Sequence, residues 1–279
     1  MDRVHKRFVQ MEETMIFDTH SHYDDKAFCD DRDALLRSLR DKGVERLVNV
    51  GSDMASNHTA LALAEQYDFI YCSLGVHPSE VEGLTEADME WIRQHADHDK
   101  VVAIGEFGLD YHWPEPSPDL QKKWFYCQIE LAKEVGLPII IHSRDASAET
   151  MAILTETKAY ECGGVIHCYS YSPEMAKEYA DMGFYIGVGG VVTFKNAKKL
   201  KRTVEEIPLE SIVLETDCPY MAPEPHRGAR NDSTQLIYVA EKIAELRGTT
   251  TDAVISQTTK NAENLYPKIK EVRQSVKRS

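Results

Sequence analysis

The sequence has no CxxC pair, no long hydrophobic run, no internal repeat, no low-complexity tract and no excess of basic charge. Each absence removes a class of protein. Its six cysteines (Cys29, Cys72, Cys127, Cys162, Cys168 and Cys218) lie far apart, which predicts free thiols in a reducing compartment rather than a disulfide framework. The apolar stretches are short, as at 101–104 and 138–141, so no segment is expected to cross a bilayer. The opening MDRVHKRFVQMEET mixes both charges without an apolar core, unlike a secretory signal. A cytoplasmic location is the expectation, for a monomer with no membrane contact and no obligate protein partner. With 32 basic against 46 acidic residues the net charge is −14. A protein that coats nucleic acid non-specifically is normally basic, so that role is disfavoured. A nuclease is not, because bound cations and a few local arginines attract phosphate to one place on an acidic protein.

What the sequence does contain is alternation. Short β-branched apolar runs at 15–19, 46–50, 69–74, 101–105, 138–142, 164–167, 184–187 and 212–215 predict strands. Between them lie helix-like stretches, among them 31–42, 121–135, 173–181 and 196–206. Gly43, Gly136 and Gly183 stand where helix C-caps belong. Eight strands, each followed by a helix with no linker between, indicate a single α/β domain folded as a (β/α)8 TIM barrel; a doubly wound open sheet is the alternative. The expected organisation is a flexible extension at 1–14, a barrel domain over 15–270 and a basic tail at 271–279, with a final helix after the last strand.

The polar residues fall at strand ends. In FDTHSH, His20 and His22 are two residues apart on an expected strand, so both emerge on one face. Glu106 follows the fourth run in VVAIGEFGLDYHW, His142 the fifth in LPIIIHSRD, His167 the sixth in GGVIHCYS and Asp217 the eighth in IVLETDCPY. Each alone has a plain structural reading: a hydrogen-bonded histidine, a helix-terminal charge, a loop residue. Six metal-capable groups at the C-terminal ends of barrel strands converge on one mouth, where such folds carry their chemistry. Four imidazoles and two carboxylates exceed the three protein ligands of one catalytic zinc and suit two ions about 3.5–4 Å apart. The expected division places one ion on His20, His22 and Asp217 and the other on His142 and His167, with Glu106 as bridge. Imidazole-rich ligands favour Zn, Mn, Ni, Fe or Co, with Mg as an alternative in activity.

FDTHSH, GVHP, GEFGLDYH, LPIIIHSRD, GGVIHCYS, and ETDCPYMAP followed by HRGARN resemble, in order and spacing, the TatD family of metal-dependent deoxyribonucleases, within the wider amidohydrolase-like barrel superfamily. The resemblance runs from Met15 to about Tyr266. It implies a (β/α)8 barrel with one or two divalent metals, and the family's ligands fall on His20, His22, Glu106, His142, His167 and Asp217. The departures are Tyr169, where the family usually has Phe, and Asp232–Ser233, where Glu–Pro commonly follows the RGxRN segment.

Asp217 and Glu106 are the expected catalytic residues, Asp217 orienting or deprotonating the attacking water. Arg144, Arg227 and Arg230 are candidate phosphate contacts, and His77 and His112 are further substrate-facing or supporting candidates. Tyr111 and Trp113 are candidates to stack on a base, and the basic run FKNAKKLKR (194–202) either contacts a nucleic-acid backbone or is a solvated helix face. The expected activity is cleavage of phosphodiester bonds at DNA ends. The alternative is hydrolysis of another ester or amide at the same centre, such as D-aminoacyl-tRNA. A non-enzymatic metal-holding module ranks below both, since a retired catalyst is expected to have lost Glu106 or Asp217.

Overall fold

The computed structural model describes residues 15–269, so the expected extension at 1–14 and tail at 271–279 lie outside the described residues. Eight strands form one sheet whose order follows the chain: β1 (Ile16–Ser21), β2 (Val44–Val50), β3 (Ile70–Leu74), β4 (Val101–Asp110), β5 (Ile139–Arg144), β6 (Gly164–Ile166), β7 (Phe184–Val188) and β8 (Ile212–Leu214). Helices alternate with them: α1 (Arg32–Leu39), α2 (Met54–Gln66), α3 (Glu86–His95), α4 (Pro118–Val135), α5 (Ser147–Glu156), α6 (Pro173–Asp181), α7 (Lys198–Glu206) and α8 (Leu236–Arg247), then α9 (Thr251–Leu265). A helix after every strand and strictly sequential strand order are the chain path of a (β/α)8 barrel, not of a doubly wound sheet, whose order reverses at a switch point.

Local chemistry accounts for the helix ends. Asp53 and Ser56 form a reciprocal capping box at α2, as Thr85 and Asp88 do at α3. Pro118 opens α4 at the position where a missing N–H costs nothing, and Gly136 closes it with φ 68°. Burial runs along consecutive strand residues rather than alternate ones: all six residues of β1 and all ten of β4 are buried, and in β5 only His142 and Arg144 are not. Strands of a parallel sheet covered on both faces have this character.

The chain divides into two compact units. Among the described residues, one comprises 15–48 with Cys168–Ala180 and Ile186–Ala262; the other comprises Asn49–His167, Asp181–Tyr185 and 263–269. In the first, β7 and β8 pair in parallel through Ile186–Ile212, Gly187–Val213 and Val188–Leu214. Ser21 at the end of β1 forms a parallel bridge with Cys218, just beyond β8. In the second, β3, β4, β5 and β6 pair in parallel in that order. All six cysteines are free, as their spacing predicts. No helix among the described residues is long and apolar enough to cross a membrane.

Strand β4 departs most from the sequence expectation. It runs five residues past Gly105, because the two glycines that look like breakers are what lets it continue. Gly108 has φ +153°, and a Cβ there would stand 1.9 Å from the His142 carbonyl oxygen of β5. Only glycine tolerates both that φ and that approach. The β4–β5 register shifts between Ile104 and Phe107, an irregularity of the kind that re-aims a side chain beside a site. Glu106 therefore lies inside a strand rather than at its end.

At the base of the first unit, buried Asn261 of α9 donates through Nδ2 to the carbonyls of Leu209 (2.8 Å) and Ile212 (2.7 Å). Replacing it by leucine leaves these carbonyls without that donor. We expect Asn261→Leu to cost about 2–4 kcal/mol, read as a lowered midpoint in denaturant melts at unchanged slope; an unchanged midpoint would refute the anchoring role.

Candidate metal centre

The first unit assembles its part of the site from β1 and the segment after β8. His20 lies in β1 and His22 one residue past its end. The two side chains share a face, with their Nε2 atoms 3.1 Å apart. Asp217 Oδ1 stands 3.4 Å from His22 Nε2 and 3.9 Å from His20 Nε2. Donor atoms each about 2.0–2.2 Å from one ion sit roughly 3–4 Å from one another, so the three residues fit a divalent cation without rearrangement. Asp217 holds the left-handed backbone region at φ 56°, a conformation uncommon for a residue with a Cβ and concentrated at functional sites.

That geometry is fixed by one buried carboxylate. Asp18, two residues before His20, accepts from Thr216 N (3.0 Å), Thr216 Oγ1 (2.7 Å), Ser233 Oγ (2.6 Å) and His20 N (3.3 Å). The backbone adds a second set of ties: Asp217 N donates to the His20 carbonyl (3.0 Å) and His22 N to the Cys218 carbonyl (2.9 Å). Asn231 in turn donates to the carbonyls of Thr216 and Tyr220. Burial pushes Asp18 up to about 7, against the hydrogen bonds from Ser233 and Thr216, which pull it down.

The second unit assembles four residues around Glu106. Its Oε2 stands 3.7 Å from His142 Nδ1 and 3.9 Å from His167 Nε2. His167 directly follows β6. His77, beyond β3, presses its ring edge against His142 with centroids 4.2 Å apart, and His77, Glu106 and His142 offer ligand atoms within 4.8 Å of one another. The Nδ1 of His77 is engaged by Ser79 (2.7 Å). Asp110 closes the set, its Oδ2 3.1 Å from His142 Nε2. Burial alone would lower His142, but Asp110 and Glu106 outweigh it and raise the imidazole above its ordinary value. Burial likewise raises Asp110, while the hydrogen bonds from His142 and the His112 N–H hold it below the usual carboxylate range.

The structure thus brings His20, His22 and Asp217 together, and Glu106, His142, His167 and His77 together. The other candidates differ. Arg144 ends β5 and is exposed. Arg227 lies over the Phe194 ring at 4.2 Å. Arg230 clasps Asp31 through both terminal nitrogens, at 2.7 and 2.6 Å, and donates to the Ala27 carbonyl, so its fork is already committed. His112 is exposed with Nδ1 3.3 Å from Asp145. Trp113 is 59% exposed rather than packed in the core, whereas the Tyr111 hydroxyl donates to Glu149. In the basic run, α7 buries Leu200, Thr203 and Val204, and Arg202 pairs with Glu206. The Tyr169 hydroxyl, absent from the usual Phe, donates to the Ser172 carbonyl.

Two supporting carboxylates escape a reading by apolar runs, although parity reveals both. Asp18, His20 and His22 share one face at i, i+2 and i+4, as do Glu106, Gly108 and Asp110. The second triplet is hidden only while β4 is taken to stop at Gly105.

Histidine and carboxylate clusters at the C-terminal ends of strands in a (β/α)8 chain define a metal-dependent hydrolase of the barrel type. Comparison with known proteins narrows this. The chain belongs to the family described as TatD related DNase, whose model matches residues 17–267. It is 47% identical over 252 residues to YabD of Bacillus subtilis, described as an uncharacterized metal-dependent hydrolase, covering 90% of this chain and 99% of that one. It is 35% identical over 254 residues to YcfH of Escherichia coli, described in the same terms, covering 90% and 95%. Among solved structures, the TatD homologue YjjV of Escherichia coli superposes with a TM-score of 0.85 at 32% identity, covering 90% of this chain and 98% of that one.

The raised groups give a sign to the pH dependence. His142 and Asp18 both hold a proton more tightly folded than unfolded. The His142 contribution is present below 6.5 and is lost as pH rises through its raised folded value; Asp18 adds a loss between 3.8 and about 7. Metal-stripped protein is expected to melt at progressively lower temperature as pH rises from about 6.5 through the raised value of His142, and His142→Gln to flatten part of that slope. A wild-type melting temperature that climbs over this interval would overturn the assignment.

Proposed function

We propose that this protein is a divalent-metal-dependent phosphodiesterase that removes nucleotides from DNA ends. The observation that carries the reading is the pair of histidine–carboxylate clusters at metal-ligand spacing, in a chain matched over residues 17–267 by the TatD related DNase family. In this reading His20, His22 and Asp217 hold one ion, and Glu106, His142 and His167 hold the other. Imidazole-rich sets of this kind suit Zn, Mn, Ni, Fe or Co better than Mg. Bound divalent cations supply Lewis acidity, lowering the pKa of a water and offsetting charge that develops on the phosphoryl oxygens.

The chain's own residues do the rest. Asp217 has one oxygen directed at the two imidazoles; its other oxygen orients the attacking water and accepts its proton. Glu106, His142 and His167 fix the second set of donor atoms. Exposed Arg144 is the candidate to meet a substrate phosphate with its planar fork, and Arg227 is a second. Arg230 is left as an anchor for its loop. Exposed Trp113 offers a terminal base a face to stack on, worth about 1–3 kcal/mol. An acidic protein with net charge −14 has no need of a long basic groove if only a strand terminus is engaged. The reading places the protein in the cytoplasm, acting as a monomer.

The test uses metal-stripped protein, an end-labelled single-stranded oligonucleotide, and Zn, Mn or Mg added back. Stepwise shortening that requires metal, and that falls by at least about a thousandfold in Glu106→Ala, is expected. Wild-type protein that binds metal yet leaves DNA intact would sink the nuclease reading and direct the search to aminoacyl-tRNA and other esters.

A further inference from the structure

The geometry points to Asp110 as the positioning residue that fixes which nitrogen of His142 is offered to a metal ion. The inference rests on the reading of His142 as a ligand. Asp110 is the last residue of β4, and every polar group around it is committed. Its N–H donates to Gln121 Oε1 (2.8 Å), and its carbonyl accepts from Gln121 Nε2 (2.9 Å). The same amide donates to the Pro116 carbonyl (2.8 Å), so Gln121, 1% exposed in α4, locks the end of the strand to the loop behind it. The His112 N–H holds Asp110 Oδ1 at 2.9 Å. What remains is Oδ2, and it lies 3.1 Å from His142 Nε2.

An ionised carboxylate only accepts hydrogen bonds, so this contact requires the proton of the neutral imidazole on Nε2. Nδ1 then carries the lone pair, and Nδ1 is the atom 3.7 Å from Glu106 Oε2. Two acceptors facing each other at that distance repel unless a cation lies between them, and the spacing is that of two ligands on one ion. Asp110 thereby assigns the roles of the two ring nitrogens: one anchored, one available. Carboxylate–histidine–metal relays of this kind set ring orientation and ligand basicity, and losing the outer carboxylate typically weakens metal affinity by about 10–100-fold. The approach of β4 and β5 at Gly108 makes the contact possible, because any side chain there would strike the His142 backbone. His77 contributes ring packing against His142; packing does not distinguish the two nitrogens, whereas a carboxylate does.

Two measurements on the full-length chain test this. The first is the histidine ring nitrogen spectrum of metal-stripped protein above the imidazole titration, with His142 assigned by its absence in His142→Ala. A neutral ring protonated on Nε2 in the wild type, giving way to a mixture of tautomers in Asp110→Ala, is expected; protonation on Nδ1 in the wild type would overturn the inference. The second is Zn²⁺ affinity by competition with a chromophoric chelator. Asp110→Ala is expected to bind about 10–100-fold more weakly at the site lost in His142→Ala, and Asp110→Asn, which keeps the shape and one acceptor oxygen, to fall between it and the wild type. If His142→Ala loses the ion while both Asp110 variants bind as the wild type does, the positioning role fails and the ligand reading stands. If His142→Ala binds Zn²⁺ unchanged, the ligand reading itself fails. Should Asp110→Ala not fold, Asp110→Asn carries both measurements alone.

Discussion

The carboxylate of Asp18 is the constraint on which the first half of the metal centre depends. It is fully buried, and it spends its acceptors on the backbone and hydroxyl of Thr216, on Ser233 and on the His20 N–H. The bonds from Thr216 and Ser233 join residues 198 and 215 positions apart in the chain. Left without donors, a buried carboxylate costs several kcal/mol; with them it becomes a staple that specifies one spacing between β1 and the strand-eight segment. His20, His22 and Asp217 inherit that spacing. The strained φ of Asp217 is tolerated because the backbone on both sides is held, by the His20 carbonyl before it and the β1 bridge after it.

The second unit reaches the same end by different chemistry. The placement of Glu106 comes from strand pairing: a register shift in β4, a glycine that admits β5 to van der Waals distance, and an amide side chain that ties the strand end to α4. In both units a candidate ligand histidine has an aspartate as its neighbour, and hydrogen bonds from the backbone hold each aspartate in place. Precision at a metal site is supplied from behind, by residues with ordinary hydrogen-bonding duties.

Much of this was legible in the sequence. The alternation of apolar runs with helical segments predicts the strand order, and α6 spans the expected 173–181. Five of the six ligand candidates lie at or near strand ends, whereas Glu106 lies within β4; period-two patterning fixes which side chains share a face. Boundaries were less legible. β1 extends to Ser21 and β4 to Asp110 because tertiary pairing overrides the local signal: polar residues and glycines that end a strand in isolation are retained when neighbouring strands satisfy their backbone. The arginines were least legible. Arg227 and Arg230 sit in one short loop of similar composition, yet one lies over Phe194 and the other clasps Asp31. Partners from distant parts of the chain decide that, and no local pattern encodes them.

All six ligand candidates lie within strands or no more than three residues beyond a strand end. Farther from the strand ends, the stretch carrying His112 and Trp113 and the part of the β8 loop around Arg227 hold none of them. In the proposed reading most candidate recognition residues thus lie apart from the candidate ligands, Arg144 at the end of β5 being the exception. A lineage is free to lengthen, shorten or recharge those loops, trading one phosphate- or carbonyl-bearing molecule for another, while the ion-holding frame is inherited unchanged. Such an arrangement makes the fold a durable chassis for new specificities: innovation at the rim carries little risk to the reaction beneath it.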